Sequence, residues 1–321
     1  MSDSPKFSVV IPLYNKRAYI RRAVDSVLKQ TLTDFELIVV DDGSTDESIE
    51  TLADISDRRL RIIRQQNQGE GPARNAGICL TRSTWIALLD ADDSWTECHL
   101  CEMAKIVNKY PDAGLISTSC IEATGSTVPH LPTAEALSSI RKVDYFAEAS
   151  RKIGFINSSS SAVQRHVFEE LGGFINVKAG ADLEYWARVA LAYPVAVSNR
   201  VTCAYFRDTG GVMHQIAARP IAQQPQTIQS LSEISPSVAM LCDRAEANTF
   251  LWKNASIRAY VNGRLGSCIK SAIYHGDTSS ARMFLSFILP PLTLRQRCYS
   301  LVTYIPKDVV LGMVSIYRYF R

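Results

Sequence analysis

Three aspartates, Asp90, Asp92 and Asp93, crowd the end of an apolar run in "WIALLDADDSW", residues 85–95. A turn or a helix cap uses one carboxylate, whereas three within four residues repel one another unless a cation lies among them. Hard oxygen ligands of this kind suit Mg²⁺ or Mn²⁺, and an ion held there can in turn hold a diphosphate. The same crowding implies that losing one carboxylate stabilises the metal-free protein. A second acidic pair, Asp41 and Asp42, closes the run in "FELIVVDDGSTDES". That stretch also reads as a tight Asp-Gly turn followed by a capped helix.

Residues 7–119 hold the frame that must carry these side chains: "FSVVIPL", a helix, "FELIVVDD", a helix, "LRIIR", a helix, "WIALLDADD", a helix, "AGLIST". Short β-rich runs alternating with helical stretches predict βαβ units on a parallel sheet. In the first helix Ile20, Ala23, Val24, Val27 and Leu28 fall on one face at 3.6 residues per turn. Ser44 to Glu47 and Ser94 to Glu97 have capping-box spacing, which predicts that two later helices start right after aspartate-bearing strand ends. Ligands of an open parallel sheet collect at the carboxyl ends of its strands, here at Pro12, Tyr14 and Asn15, at Asp41 and Asp42, and at the aspartate triplet. A dinucleotide is not the expected ligand, because "PLYNKRA" lacks G-x-G-x-x-G and "GEGPAR" puts Arg74 where the third glycine belongs.

From 120 to 206 the alternation turns irregular, with a Ser-rich strand "INSSSSAVQ", a short helix at 165–171, a "GGF" turn, a helix from about 182 and a strand near 200–206. Residues 216–321 read as helices broken at Pro290, Pro291 and Pro306. The expected division is therefore a catalytic domain over 1–215 and a helical C-terminal extension over 216–321.

With 321 residues, 46% of them hydrophobic, the chain can bury a substantial core. A net charge of +3 is too small for nucleic-acid binding, but it is unevenly placed: from residue 280 onward Arg282, Arg295, Arg297, Lys307, Arg318 and Arg321 face only Asp308. Phe284, Phe287, Ile288, Tyr299 and Tyr304 are interspersed there, a composition suited to an anionic membrane surface or to packing back on the protein. No signal-peptide pattern opens the chain and no run is long enough to span a bilayer, so a cytoplasmic protein, peripheral at the inner face of the membrane, is expected. The eight cysteines are scattered and read as reduced, and the pair in "CHLC" at 98–101 reads as core.

In "VVIPLYNKRAYIRRAVDSVLKQT", "FELIVVDDGSTDES", "NQGEGPARNAGI", "WIALLDADDSW" and "GADLEYWARVA", taken in order over residues 7–206, the chain closely resembles the family 2 glycosyltransferases, inverting enzymes with the GT-A fold. The resemblance implies an α/β, Rossmann-like architecture with a mostly parallel central sheet. It implies transfer of a sugar from a nucleotide diphosphate donor, a UDP-sugar first, to the hydroxyl of a glycan or lipid-linked acceptor in surface polysaccharide or glycolipid assembly. Carried over, it puts Pro12, Tyr14, Asn15 and Asp42 around the nucleotide, with Asp42 accepting from a base N–H, and Arg74 near the phosphates or base. Asp90 and Asp92 match the family's D-x-D, with Asp92 the direct ligand of Mn²⁺ or Mg²⁺ and Asp93 a weaker one. Asp182 matches the general base, although an aspartate opening a helix can also be an N-cap. Trp186 stands either under the acceptor sugar or in the core, and Ala181 and the late His214 depart from the family's pattern. A nucleotidyltransferase and a non-catalytic sugar-nucleotide or membrane adaptor are the alternatives.

Overall fold

The computed structural model describes residues 4–125, 139–152, 154–209, 232, 235–274, 277–290 and 294–304. The chain forms two compact units, one of Met1–Tyr145 with Gly154–His214, the other of Phe146–Ile153 with Gln215–Arg321.

The first unit is built on one sheet of nine strands: β1 (Phe7–Leu13), β2 (Phe35–Asp41), β3 (Leu60–Arg64), β4 (Trp85–Leu88), β5 (Ser94–Trp95), β6 (Leu115–Ala123), β7 (Ile140–Val143), β8 (Ser161–Gln164) and β9 (Val195–Phe206). Its order is β3-β2-β1-β4-β8-β6-β9-β5, with β7 also on β9. The first four strands are parallel, β8 runs against β4 and β6, and β5 and β7 run against β9. Every residue of β1, β2 and β4 is buried, which is why these runs show no apolar–polar alternation: both faces of a parallel sheet are covered.

Helices α1 (Ile20–Leu28), α2 (Glu70–Cys79) and α3 (His99–Lys109) supply that cover. In α1 Ile20, Ala23, Val24 and Val27 are buried, as the periodicity predicts, with Leu28 partly so. In α2 a Cβ at Gly77 would stand 2.5 Å from Val10 and 3.0 Å from Val40, so only glycine lets this helix lie so close to β1 and β2. Next in chain order, α4 (Tyr145–Arg151) falls almost entirely in the second unit, whereas α5 (Arg165–Leu171) and α6 (Ala181–Ala192) belong to the first.

Several local expectations yield to tertiary pairing. Ser94 does not cap a helix; it pairs with Ala204 in β5, and α3 starts later, after Cys98, with no side-chain cap bond. Nor does Ser44 open a helix, since only a 3₁₀ turn at Ile49–Leu52 joins β2 to β3. In "INSSSSAVQ" the serines at 158–160 form a 3₁₀ turn and the strand is confined to Ser161–Gln164.

The second unit also carries α7 (Pro236–Ala247), α8 (Ala255–Tyr274), α9 (Thr278–Ser286) and α10 (Leu294–Val302). Phe284 and Ile288 are buried in it and so unavailable to a bilayer, whereas Phe287, Leu301 and Tyr304 are exposed. No described helix is long and apolar enough to cross a membrane. Lys307, Arg318 and Arg321 lie outside the described residues.

Candidate active site

The strand order reverses direction at β1: β2 and β3 extend the sheet on one side and β4 on the other. Loops leaving the carboxyl ends of β1 and β4 therefore diverge and open a crevice between them. Leu89 N–H closes the ladder on Val10 O at 3.1 Å, and just beyond it the aspartate triplet turns out of the sheet.

Each of the three carboxylates already has a partner in the protein. Asp90 Oδ1 accepts from Arg74 Nη2 at 2.6 Å, and Arg74, on α2 and only 3% exposed, also pairs with Glu70 one turn back. Burial alone would lower the Arg74 pKa, but Glu70, Asp90 and Asp182 outweigh it and hold the guanidinium charged. Asp92 Oδ2 accepts from Lys16 Nζ and from Thr209 Oγ1, both at 2.6 Å. Asp93, expected as a weaker metal ligand, is fully buried, with Oδ2 accepting from Ser159 and Oδ1 from Phe206 N–H at 2.9 Å. Burial, with the Asp90 and Asp92 charges behind it, pushes the Asp93 carboxyl well above the usual carboxylate range. With both oxygens spent inward, Asp93 is corrected from ligand to structural anchor of the turn.

Two tethers bring Arg74 and Asp182 toward the same place. Asn75, beside Arg74, exchanges a reciprocal pair of hydrogen bonds with the Phe174 backbone, both at 2.8 Å. Arg188 of α6 forks onto Glu184 at 3.0 and 2.8 Å and donates to the carbonyls of Gly172 and Gly173 at 3.1 and 2.7 Å. Both helices thus hang on the "GGF" turn that follows α5. Asp182 sits in the first turn of α6, two residues after the N-cap Gly180 at φ +83°, and its carboxylate accepts from the Leu183 N–H. Burial raises the Asp182 pKa; the Arg74 charge opposes that shift and Asp90 reinforces it. Asp182 is thus a partly buried carboxylate with a raised pKa that feels the fixed Arg74 charge.

Trp186 is corrected as well. It is 0% exposed, edge-on to Phe174 with centroids 5.8 Å apart and 5.5 Å from Tyr185, so it is core and cannot stack on an acceptor.

On the nucleotide side, Pro12 is buried at the end of β1 and Tyr14 stands 48% exposed beside it. Asn15, in the left-handed region at φ +50°, accepts from Thr45 N–H at 2.8 Å and so joins the β1 and β2 loops. The Asp42 carboxylate accepts from Gln65 Nε2, Gln68 N–H and Gly69 N–H at 2.8, 2.9 and 2.8 Å. It is occupied in pinning the loop that launches α2, and thereby in placing Arg74. Lys16, Thr209 and Ser159 carry no signal in the sequence, because nothing in local spacing marks a partner 66 to 117 residues away. His214 lies outside the described residues.

Among the described residues no three His, Cys, Asp or Glu side chains could cage a metal. Asp90 Oδ2 and Asp92 Oδ1, however, make no hydrogen bond to the described residues, and their side chains keep 24% and 14% exposure at the crevice. Mg²⁺ and Mn²⁺ are commonly bound through one or two carboxylates and completed by water and substrate phosphates. The donor set fits an ion of that kind and not a protein-only cage.

The family described as "Glycosyl transferase family 2" matches residues 8–172. An uncharacterized glycosyltransferase of Nostoc sp. is 29% identical over 239 residues, covering 72% of this chain and 73% of that protein. The crystal structure of S. aureus TarS 1–349 in complex with UDP-GlcNAc has a TM-score of 0.71 at 17% identity, covering 98% of this chain and 92% of that one. The mannosyltransferase PcManGT from Pyrobaculum calidifontis, in complex with GDP-Man and Mn²⁺, has a TM-score of 0.51 at 18% identity over 99% and 88%. These two likenesses bear on the fold. Because the family match spans just over half of the chain and carries the β1, β2 and β4 ends that build the crevice, the chain belongs to glycosyl transferase family 2 and is a glycosyltransferase with the GT-A fold.

Proposed function

We propose that the chain transfers a sugar, with inversion, from a UDP-sugar to an acceptor hydroxyl of a glycan or lipid, with Asp182 as general base. The observation that carries this reading is the Arg74–Asp90 ion pair just beyond β4, with Asp182, in the first turn of α6, near enough to feel both charges. The acceptor hydroxyl gives its proton to the Asp182 carboxylate while its oxygen bonds to the sugar C1. The bond from C1 to the diphosphate breaks, and its electron pair leaves with the diphosphate. Arg74, fixed and charged, faces the phosphates. A divalent ion, Mn²⁺ or Mg²⁺, bound through Asp90 and Asp92 would supply charge neutralisation at the leaving group.

TarS binding UDP-GlcNAc and PcManGT binding GDP-Man with Mn²⁺ support a nucleotide-sugar donor and a divalent ion. A panel of UDP, GDP, dTDP and CDP sugars, scored by thermal shift with Mn²⁺ and by release of nucleoside diphosphate, tests the reading. A UDP-sugar at about 100 times its Kd is expected to add about 2.7 kcal/mol of apparent stability. Release of pyrophosphate instead of a nucleoside diphosphate would reassign the chain as a nucleotidyltransferase.

The biological setting proposed is surface polysaccharide or glycolipid assembly, at the cytoplasmic face of the membrane. The excess of basic residues after position 280 supports an anionic surface as partner, at about 1 kcal/mol per basic side chain near it. The full chain is expected to sediment with anionic but not with neutral liposomes, and to leave them as salt is raised. Indifference to lipid charge in that assay removes the membrane from the proposal and leaves the transfer reaction standing.

A further inference from the structure

The cation demanded by the aspartate turn is already present in the chain. Lys16 follows β1, Asp92 follows β4, and the pairing of those two strands sets the loops side by side. The Lys16 ammonium donates to Asp92 Oδ2 at 2.6 Å and to the Thr209 carbonyl at 3.1 Å. Only 17% and 14% of the two side chains are exposed, so the pair is largely withdrawn from water and is not a rim contact. Asp92, like Asp90, keeps one oxygen without a hydrogen bond to the described residues. An ion on that oxygen would lie about 2.0–2.2 Å away, next to an ammonium held on the other oxygen of the same carboxylate. A monovalent and a divalent cation that close repel strongly at low effective dielectric.

We infer that the Lys16 ammonium and a divalent ion compete for Asp92, so that Lys16 is a resident counter-cation that the metal must displace. The inference rests on the proposed reading that a divalent ion works at Asp92. The backbone is built to let the side chain leave alone. Lys16 N–H donates to Ser48 Oγ at 3.0 Å, and Lys16 O accepts from Tyr19 and Ile20 N–H, both at 2.9 Å, so the main chain stays anchored at the start of α1. Beside it lies an open cavity of about 710 Å³, lined by Asn15, Lys16, Arg17, Tyr19, Thr45 and Asp46, into which an ammonium can swing. Arg22, which donates to the Asp92 carbonyl and stacks 3.6 Å from the Phe206 ring, keeps the turn in place when Lys16 moves. Holding the ammonium on Asp92 in the free protein gives a partly buried carboxylate a counter-charge, and makes tight metal binding wait for the negative charge that phosphates bring.

The test is a Mn²⁺ titration of the full chain without nucleotide, followed by the electron paramagnetic resonance signal of free Mn²⁺, with far-UV circular dichroism melts to verify folding. Lys16→Met and Lys16→Gln are each expected to bind Mn²⁺ at least ~10-fold more tightly than wild type, and Lys16→Arg, which keeps the charge, to stay within ~3-fold of it. Asp92→Asn is expected to abolish the binding in every background. Two neutral variants of different polarity guard against one of them failing to fold. If both bind Mn²⁺ no more tightly than wild type while Asp92→Asn still abolishes binding, Lys16 does not compete and the metal reading survives without it. If none of these proteins binds Mn²⁺, with UDP present or absent, the inference and the metal reading fall together.

Discussion

Asp182→Asn is expected to cut sugar transfer by ~10²-fold or more while leaving donor binding and the fold intact, the range for a missing general base. The substitution is nearly isosteric: Gly180 is the N-cap of α6, the Arg188–Glu184 fork that moors the helix is untouched, and an asparagine Oδ1 can still accept from the Leu183 N–H that the carboxylate meets. Burial raises the Asp182 pKa against the pull of Arg74, so the carboxylate needed as base is lost as pH falls through a value above the ordinary carboxylate range. The wild-type kcat should therefore decline on the acid side earlier than an exposed aspartate would dictate, and that limb should vanish in the variant. Single-turnover transfer across pH, beside calorimetric binding of the donor, measures both. Transfer per folded molecule equal to wild type would remove Asp182 from the chemistry.

Asp92→Asn is expected to lower transfer by at least ~10²-fold, because a Lewis-acidic ion at a leaving diphosphate contributes several kcal/mol and each 1.36 kcal/mol is about tenfold. Its stability effect reverses the one implied by charge crowding. In the folded protein Asp90 is answered by Arg74, Asp92 by Lys16 and Thr209, and Asp93 by Ser159 and the Phe206 N–H, so little repulsion remains to be relieved. Removing the Asp92 charge instead leaves Lys16 with a weaker acceptor, at a cost of about 1 kcal/mol, or a Tm about 2–4 °C lower. Melts of the metal-free variant and assays in excess EDTA check the two halves separately. Full wild-type activity in EDTA would exclude a metal-dependent mechanism, and a raised Tm would mean that repulsion among the carboxylates still outweighs their pairing.

Much of this protein is legible along the chain. The run "FSVVIPL" reads as a strand of a parallel sheet because five of its seven residues, Phe7, Val9, Val10, Ile11 and Leu13, are apolar strand formers, and all seven are buried in β1. The stripe from Ile20 to Val27 orients α1 correctly, since a 3.6-residue period depends on nothing outside the helix. The acidic strand ends in β2 and β4, with the order of the motifs, place a crevice at the carboxyl edge and mark the family, because short-range covalent spacing sets both.

What spacing along one segment leaves open is which partner a side chain meets across the fold. Ser94 has capping-box spacing, but β9 offers it a ladder, and a strand pairing overrides a cap. Trp186 lies on a helix that reads equally well with its indole inward or at the crevice, and the "GGF" turn that places Phe174 against it settles the matter. The aspartate triplet is the sharpest instance. Three adjacent carboxylates call for positive charge and donors, and the crossover between β1 and β4 determines where these come from. It brings Lys16 across 76 residues to Asp92, the fold of α2 onto the sheet brings Arg74 to Asp90, and the inward turn of the backbone sends Asp93 to Ser159 and Phe206. Residue type sets how much charge a turn must balance, but which groups balance it depends on strand adjacency, and the distances along the chain are too long for any local periodicity to encode that.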